Sequence, residues 1–259
     1  MQLRDRVCVP LHSIVHDFAD VIFPPYCAIC GGPLDFNDRI ICEYCYQSIK
    51  FVDAPFCQDC GRPLKKTGKD CTWCANHVLG LTRIRALGVY DRTLSPIIHL
   101  LKYGKKPSLA KRLGRMMSIT VLRDQLLSRA DLAVPVPLHS ARHRERGYNQ
   151  SELLANALAE SLGIPLVTNA LLRQKNTKSQ TGLTPEQRMK NVAGSFQVKK
   201  ADTLKGKKVL LVDDVMTTGS TLRFCAEALL RGGAEKVFGI ICAVVPMQTV
   251  YISYYKTRR

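Results

Sequence analysis

No stretch of this 259-residue sequence approaches the roughly 18 consecutive apolar residues that a membrane-spanning helix needs. The N-terminus lacks the apolar segment and small-residue cleavage site of a secretory signal, which sets the expectation of a cytoplasmic protein. Acidic residues are scarce: 21 Asp and Glu face 38 Lys and Arg, a formal net charge of +17. The imbalance is uneven. Residues 1–81 carry 8 basic against 9 acidic side chains, residues 82–150 carry 14 against 4, and residues 151–259 carry 16 against 8. Such an excess suits a nucleic-acid surface, a ligand with several phosphates, or solvated helix faces, and charge alone does not choose. Large aliphatic side chains are also few between residues 25 and 75, so that region buries little core of its own.

What that region has instead is cysteine. Eight of the eleven cysteines form four CxxC pairs: Cys27/Cys30, Cys42/Cys45, Cys57/Cys60 and Cys71/Cys74. The segment PYCAICGGPL at 25–34 recurs thirty residues later as PFCQDCGRPL at 55–64. A second pair follows each copy, after 11 and 10 intervening residues. CxxC followed by glycine is a zinc knuckle, whose turn points two thiolates at one metal, and two knuckles complete a tetrahedral site. Disulfides are disfavoured because adjacent pairs close only tiny loops, and a cytoplasmic setting keeps thiols reduced. The repeat pairs Cys27, Cys30, Cys42 and Cys45 on one ion and Cys57, Cys60, Cys71 and Cys74 on another, as tandem zinc ribbons with two structural zinc ions. Metal binding would then supply folding energy that the thin core cannot. A tetrathiolate zinc carries two net negative charges, so two sites would reduce the charge from +17 to about +13. His77 is a bystander on this reading, and Cys225 and Cys242 lie in apolar runs as core residues.

The stretch 209–221, VLLVDDVMTTGST, carries the other chemistry. Val209 to Val212 read as a strand buried on both faces of a parallel sheet, expected to end at Asp213 and Asp214. A glycine- and hydroxyl-rich turn follows, and the sequence from Thr221 reads as a helix. This geometry aims backbone N–H groups and a helix N-terminus at a phosphate. Gly219 permits close backbone approach, and Thr217, Thr218, Ser220 and Thr221 add hydroxyl donors. Two carboxylates repel phosphate but accept hydrogen bonds from a vicinal diol, so the ligand is a phosphorylated ribose.

The segment resembles the phosphoribosyl-pyrophosphate (PRPP) motif of type I phosphoribosyltransferases. That resemblance puts Asp213 and Asp214 on the ribose hydroxyls and Thr217, Thr218, Gly219, Ser220 and Thr221 around the 5′-phosphate, with magnesium accompanying PRPP.

Elsewhere Arg85–Tyr90 reads as a strand leading into the second domain. Ser95 and Pro96 open a short helix that ends at Gly104, with Lys102 in its last turn. A longer amphipathic helix is expected from about Ser108 to Ser128, a buried strand at 132–137, and a helix from Ser151 to Leu162. Three arginines with His139 and His143 fall just after the strand, at the end where open α/β sheets bind ligands. The polar stretch 173–183 reads as a lid or a disordered segment, and Thr184 opens a capping box. The spacing of Ile14, Val15, Phe18, Val21 and Ile22 predicts an N-terminal helix.

With these segments, nearly everything after residue 20 resembles the ComF competence family, including its GntX-like members. The matching residues are the knuckles, Leu101-Lys-Tyr, Pro135-Val-Pro-Leu-His, Arg146-Gly-Tyr-Asn-Gln, Arg173 with Gln180, Arg188-Met-Lys-Asn and the PRPP motif. The resemblance implies an α/β fold: a type I phosphoribosyltransferase-like parallel sheet with an N-terminal tandem zinc-ribbon domain. It also implies a link to DNA uptake, and no known acceptor. The domains expected are an N-terminal helix at 1–24, the ribbons at 25–80 and the transferase-like domain at 81–259.

Three functions remain open. The first is transfer of phosphoribose from PRPP, with Asp213 and Asp214 fixing the ribose, Lys102, His139 and Arg146 candidates for the pyrophosphate side, and Arg173 for a closing loop. The second is PRPP sensing without turnover. The third is a module that binds single-stranded DNA and engages competence proteins.

Overall fold

A computed structural model describes residues 25–34, 40–66, 71, 73–74, 80–174 and 195–246. The expected N-terminal helix, Cys8, His77, the polar stretch beyond Gln174 with Gln180, the Thr184 capping box and Arg188-Met-Lys-Asn lie outside the described residues. The chain separates into two compact units, Met1–Ser48 and Ile49–Arg259.

The sequence repeat is a structural repeat, one copy in each unit. In the first, Tyr26 bridges Pro33, and the N–H groups of Cys27 and Gly31 donate to the carbonyls of Gly32 and Cys27 at 2.7 and 2.9 Å. In the second, Phe56 bridges Pro63, and the N–H groups of Cys57 and Gly61 donate to the carbonyls of Arg62 and Cys57 at 2.8 and 3.0 Å. A short helix, α1 (Glu43–Gln47), carries Cys45 in the first unit.

The second unit is built on a four-stranded parallel sheet. Its strands are β1 (Arg83–Val89), β2 (Leu132–Pro135), β5 (Lys208–Met216) and β6 (Lys236–Val244), in the order β1-β6-β5-β2. Its central residues, 209–212 of β5 and 237–244 of β6, are apolar and buried, as a parallel sheet covered on both faces requires. Between β1 and β2 run α2 (Leu94–Tyr103) and α3 (Leu109–Leu122). After β2 come α4 (Ser140–Arg146) and α5 (Gln150–Leu162). Then β3 (Leu171–Arg173) pairs antiparallel with β4 (Phe196–Val198), followed by α6 (Ala201–Leu204). Between β5 and β6 lies α7 (Ser220–Arg231), whose Leu222, Cys225, Ala226 and Leu229 join Val209, Leu211, Leu171 and Phe196 in one core cluster. Cys225 and Cys242 are fully buried, as expected. Among the described residues no helix is long and apolar enough to cross a membrane.

Several boundaries differ from expectation, β5 and α3 for tertiary reasons and α2 for a local one. β5 does not end before the acidic pair but runs through it to Met216, because β6 offers Ile241, Ala243 and Val244 as partners for Asp213, Val215 and Met216. α2 is opened by Asp91, whose carboxylate accepts from the N–H groups of Thr93 and Leu94 at 3.0 Å, and Ser95 lies within its first turn. α3 stops at Leu122, short of Ser128. There Asp124 accepts from the N–H groups of Leu126 and Leu127 while Arg85 holds its carboxylate at 2.7 Å. The arginine-rich segment after β2 is the helix α4, closed by Gly147.

Candidate functional site

The eight paired cysteines form two clusters, Cys27, Cys30, Cys42, Cys45 and Cys57, Cys60, Cys71, Cys74, with the four sulfurs of each within 4.8 Å of one another. A tetrahedron with metal–sulfur bonds of about 2.3 Å has edges of about 3.8 Å. The Sγ···Sγ distances Cys27–Cys45 and Cys30–Cys42 are 3.7 and 3.6 Å, and Cys57–Cys74 and Cys60–Cys71 are both 3.7 Å. The donor sets therefore fit one structural zinc each, in the pairing that the repeat predicts.

The second site lies at the C-terminal ends of β2 and β5. A cavity of about 590 Å³ is lined there by Lys102, Tyr103, Arg142, Arg146, Arg173, Asp213, Asp214, Thr217 and Thr221. Four cations and two carboxylates make its wall net positive. Side chains alternate along β5, so the two adjacent acids meet different neighbours. Asp213 Oδ1 accepts from Ser151 Oγ of α5 at 2.8 Å and from the Asp214 N–H at 2.9 Å. Asp214 Oδ1 pairs with Lys102 Nζ of α2 at 2.8 Å, whereas its buried Oδ2 has no hydrogen-bond partner among the described residues. Burial, and then the Asp214 charge, push the Asp213 carboxyl up to about 7. Burial works against the charged form of Lys102, but the Asp214 carboxylate outweighs it and raises the lysine pKa.

Residues 217–221 wrap a recess of about 20 Å³ beside the cavity, lined also by Asp213. Gly219 stands at φ 80°, a left-handed conformation that a side chain would strain, and the 12-residue α7 begins directly after it. Thr218 Oγ1 and Ser220 Oγ are 2.8 Å apart. Hydroxyls, main-chain N–H groups and a helix N-terminus thus converge beside the acid pair.

Of the residues expected on the cationic side, Lys102, Arg146 and Arg173 line the cavity and His139 does not. The His139 Nδ1 instead caps α4, accepting from the Ala141 N–H at 3.2 Å. Arg146 lies over the Tyr103 ring at 4.6 Å and donates to Tyr103 Oη and Gln150 Oε1, both at 2.9 Å. Arg173 ends strand β3 rather than lying in a loop, with its guanidinium 5.6 Å from the Phe196 ring centre. Sequence reasoning missed Tyr103 and Ser151 as parts of this wall, and it placed Arg142 among the three arginines after β2 without singling it out. Ser151 directly follows Arg146-Gly-Tyr-Asn-Gln and Tyr103 ends Leu101-Lys-Tyr, so their neighbourhood was visible although their orientation was not.

Residues 18–75 match the double zinc ribbon domain, and residues 149–256 match the phosphoribosyl transferase domain. DNA utilization protein YhgH of Escherichia coli (strain K12) is 33% identical over 83% of this chain and 94% of its own length. Competence protein F of Haemophilus influenzae is 31% identical over 82% of this chain and 93% of its own. Competence protein ComFC of Bacillus subtilis is 27% identical over 76% and 80%. With two tetrathiolate sites in the N-terminal part and a parallel sheet ending in the acid pair and its loop, the chain belongs to the ComF competence family, which joins a double zinc ribbon to a phosphoribosyltransferase domain.

Proposed function

We propose that this chain binds PRPP across the 590 Å³ cavity. The 5′-phosphate lies on Thr217–Thr221, the ribose hydroxyls on Asp213 and Asp214, and the pyrophosphate toward Lys102, Arg142, Arg146 and Arg173. The observation that carries this reading is Asp214 Oδ2, a buried carboxylate oxygen without a hydrogen-bond partner among the described residues. Leaving such an acceptor unmatched is costly, and Asp214 lines the same cavity as Thr217, Thr221 and the four cations.

The reaction that fits is phosphoribosyl transfer. The bond between the anomeric carbon and the pyrophosphate oxygen breaks, and the electron pair leaves with pyrophosphate toward the four cations. A lone pair of the acceptor forms the new bond. An oxocarbenium-like transition state gains from nearby carboxylates, so Asp213 and Asp214 serve both to hold and to stabilise. Magnesium, when bound with PRPP, would neutralise leaving-group charge. Asp213 and Asp214 are oxygen donors of the type it takes, and the unpartnered Asp214 oxygen fits that role. A PRPP sensor would use the same contacts without turnover. Eight thiols arranged for metal rather than for disulfides fit the reducing cytoplasm.

The test is a melting-temperature shift. A ligand at 100 times its dissociation constant adds about 2.7 kcal/mol, or several degrees. Mg-PRPP should produce it, and ribose 5-phosphate a smaller shift. Asp213→Ala with Asp214→Ala should abolish it at unchanged zinc content; an undiminished shift refutes the site. Pyrophosphate release from Mg-PRPP, dependent on an added acceptor, separates enzyme from sensor.

A second reading adds single-stranded DNA. Lys105, Lys106, Lys111 and Arg115 are exposed in and before α3, and relatives are named for DNA utilization and competence. If these residues contact phosphates, log affinity falls with log salt by roughly 0.7 per contact, and each substitution to alanine lowers that slope. Binding with a slope that ignores all four would reduce the charge to a solvated face.

A further inference from the structure

The two knuckles differ in charge at two positions: where the first has Ile29 and Gly32, the second has Asp59 and Arg62, and Arg62 is the buried one. That side chain is 1% exposed. Its guanidinium donates to two main-chain carbonyls, that of Val245 just past β6 and that of Thr217, the first residue of the loop around the recess. The Trp73 ring lies 5.1 Å beneath it. A buried cation is costly unless matched. The groups beside this one are the sulfurs of Cys57, Cys60, Cys71 and Cys74, which as a zinc tetrathiolate carry two net negative charges.

The turn that carries Arg62 is itself fixed. Gly61 has φ +68°, and a Cβ there would meet the Ile84 carbonyl at 2.7 Å, so the knuckle lies flat against β1. The Ile84 N–H donates to the Asp59 carbonyl at 2.6 Å, and Arg85 donates to the Gln58 carbonyl at 2.8 Å. Cys57, Cys60, Cys71, Trp73 and Val245 form one buried cluster, with Val215 packed against it. The arginine thus runs from an anchored metal knuckle to the end of β5. In a planar trans peptide the C=O and N–H point opposite ways. Holding the Thr217 carbonyl therefore fixes the direction of the Thr218 N–H, and with it the first peptide of the loop.

We propose that Arg62 is a positioning residue for the phosphate loop, so that affinity for a phosphorylated ribose depends on this second knuckle. The proposal rests on reading Thr217–Thr221 as the phosphate site. It is tested by calorimetric titration of full-length wild type, Arg62→Gln and Arg62→Lys with Mg-PRPP and with ribose 5-phosphate, beside zinc analysis. Arg62→Gln should weaken both ligands by the same factor, roughly tenfold or more, as expected for losing charge-assisted bonds. Arg62→Lys keeps the charge beside the sulfurs but cannot span two carbonyls. It should retain two zinc ions and a cooperative melting transition, yet bind both ligands several-fold more weakly. Unchanged affinity in both variants overturns the proposal. So does a loss confined to PRPP, or a loss of zinc from Arg62→Lys. Failure of wild type to bind either ligand would instead remove the phosphate reading, and this proposal with it.

Discussion

Asp213 holds its proton more tightly in the folded chain than in the unfolded one, because burial and the adjacent Asp214 charge push it up to about 7. An unfolded aspartate titrates near about 3.9. With the folded pKa raised, the associated stability is fully present below the unfolded value, declines as pH rises, and is lost above about 7. Asp213→Asn cannot ionise, yet its amide oxygen can still accept from Ser151 Oγ and the Asp214 N–H. Its melting temperature should therefore exceed wild type by several degrees at pH 8. The gain should be small near pH 4, grow toward pH 7 and then level. Thermal denaturation across that range checks it. An offset of equal size at every pH would mean that the burial of this carboxylate carries no protonation cost.

The entry of α5 joins three pieces of the site. Asn149 Oδ1 accepts from the Ser151 N–H at 3.1 Å, while its Nδ2 donates to the Val136 carbonyl at 3.0 Å. Ser151 Oγ then reaches Asp213. Asn149→Ala removes a helix cap and orphans a buried carbonyl, which together cost about 2–3 kcal/mol. Urea denaturation should show that loss, with Asn149→Asp, which keeps the cap alone, falling between. Equal midpoints for alanine and wild type would refute the coupling. At this scale the sequence was most legible where a pattern was local. The apolar run into β5, the α5 helix and the knuckle turns all follow from residues a few positions apart. Boundaries set from a distance were not: β5 continues through two carboxylates because β6 pairs with Asp213, Val215 and Met216, and α3 stops where Arg85 fixes Asp124. The cationic wall divided in the same way. Lys102, Arg146 and Arg173 reach the cavity from three elements, while His139 was more useful to its own helix as a cap. Arg62 escaped notice because its contact with Thr217 spans 155 positions, although a charged residue in place of the repeat's glycine was the available sign.

Across the whole molecule, two metal sites of the same composition differ in exposure. In the first cluster Cys30 is exposed and Cys42 half-buried; in the second only Cys74 is half-buried, and Cys57, Cys60 and Cys71 are buried. The second also packs with Trp73, Val245 and Val215, so a chelator must first open part of the core to reach its sulfurs. Because thiolate ligands contribute their binding energy as folding energy, metal loss and local unfolding occur together. Purified protein should contain two zinc ions per chain and release them to excess chelator in two phases. Alkylation during the fast phase should label Cys27, Cys30, Cys42 and Cys45, and only the slow phase should expose the other four. Should the Cys57–Cys74 cluster be labelled first, its packing against the sheet does not protect it. Elemental analysis near one zinc per chain would reject the pair of sites altogether.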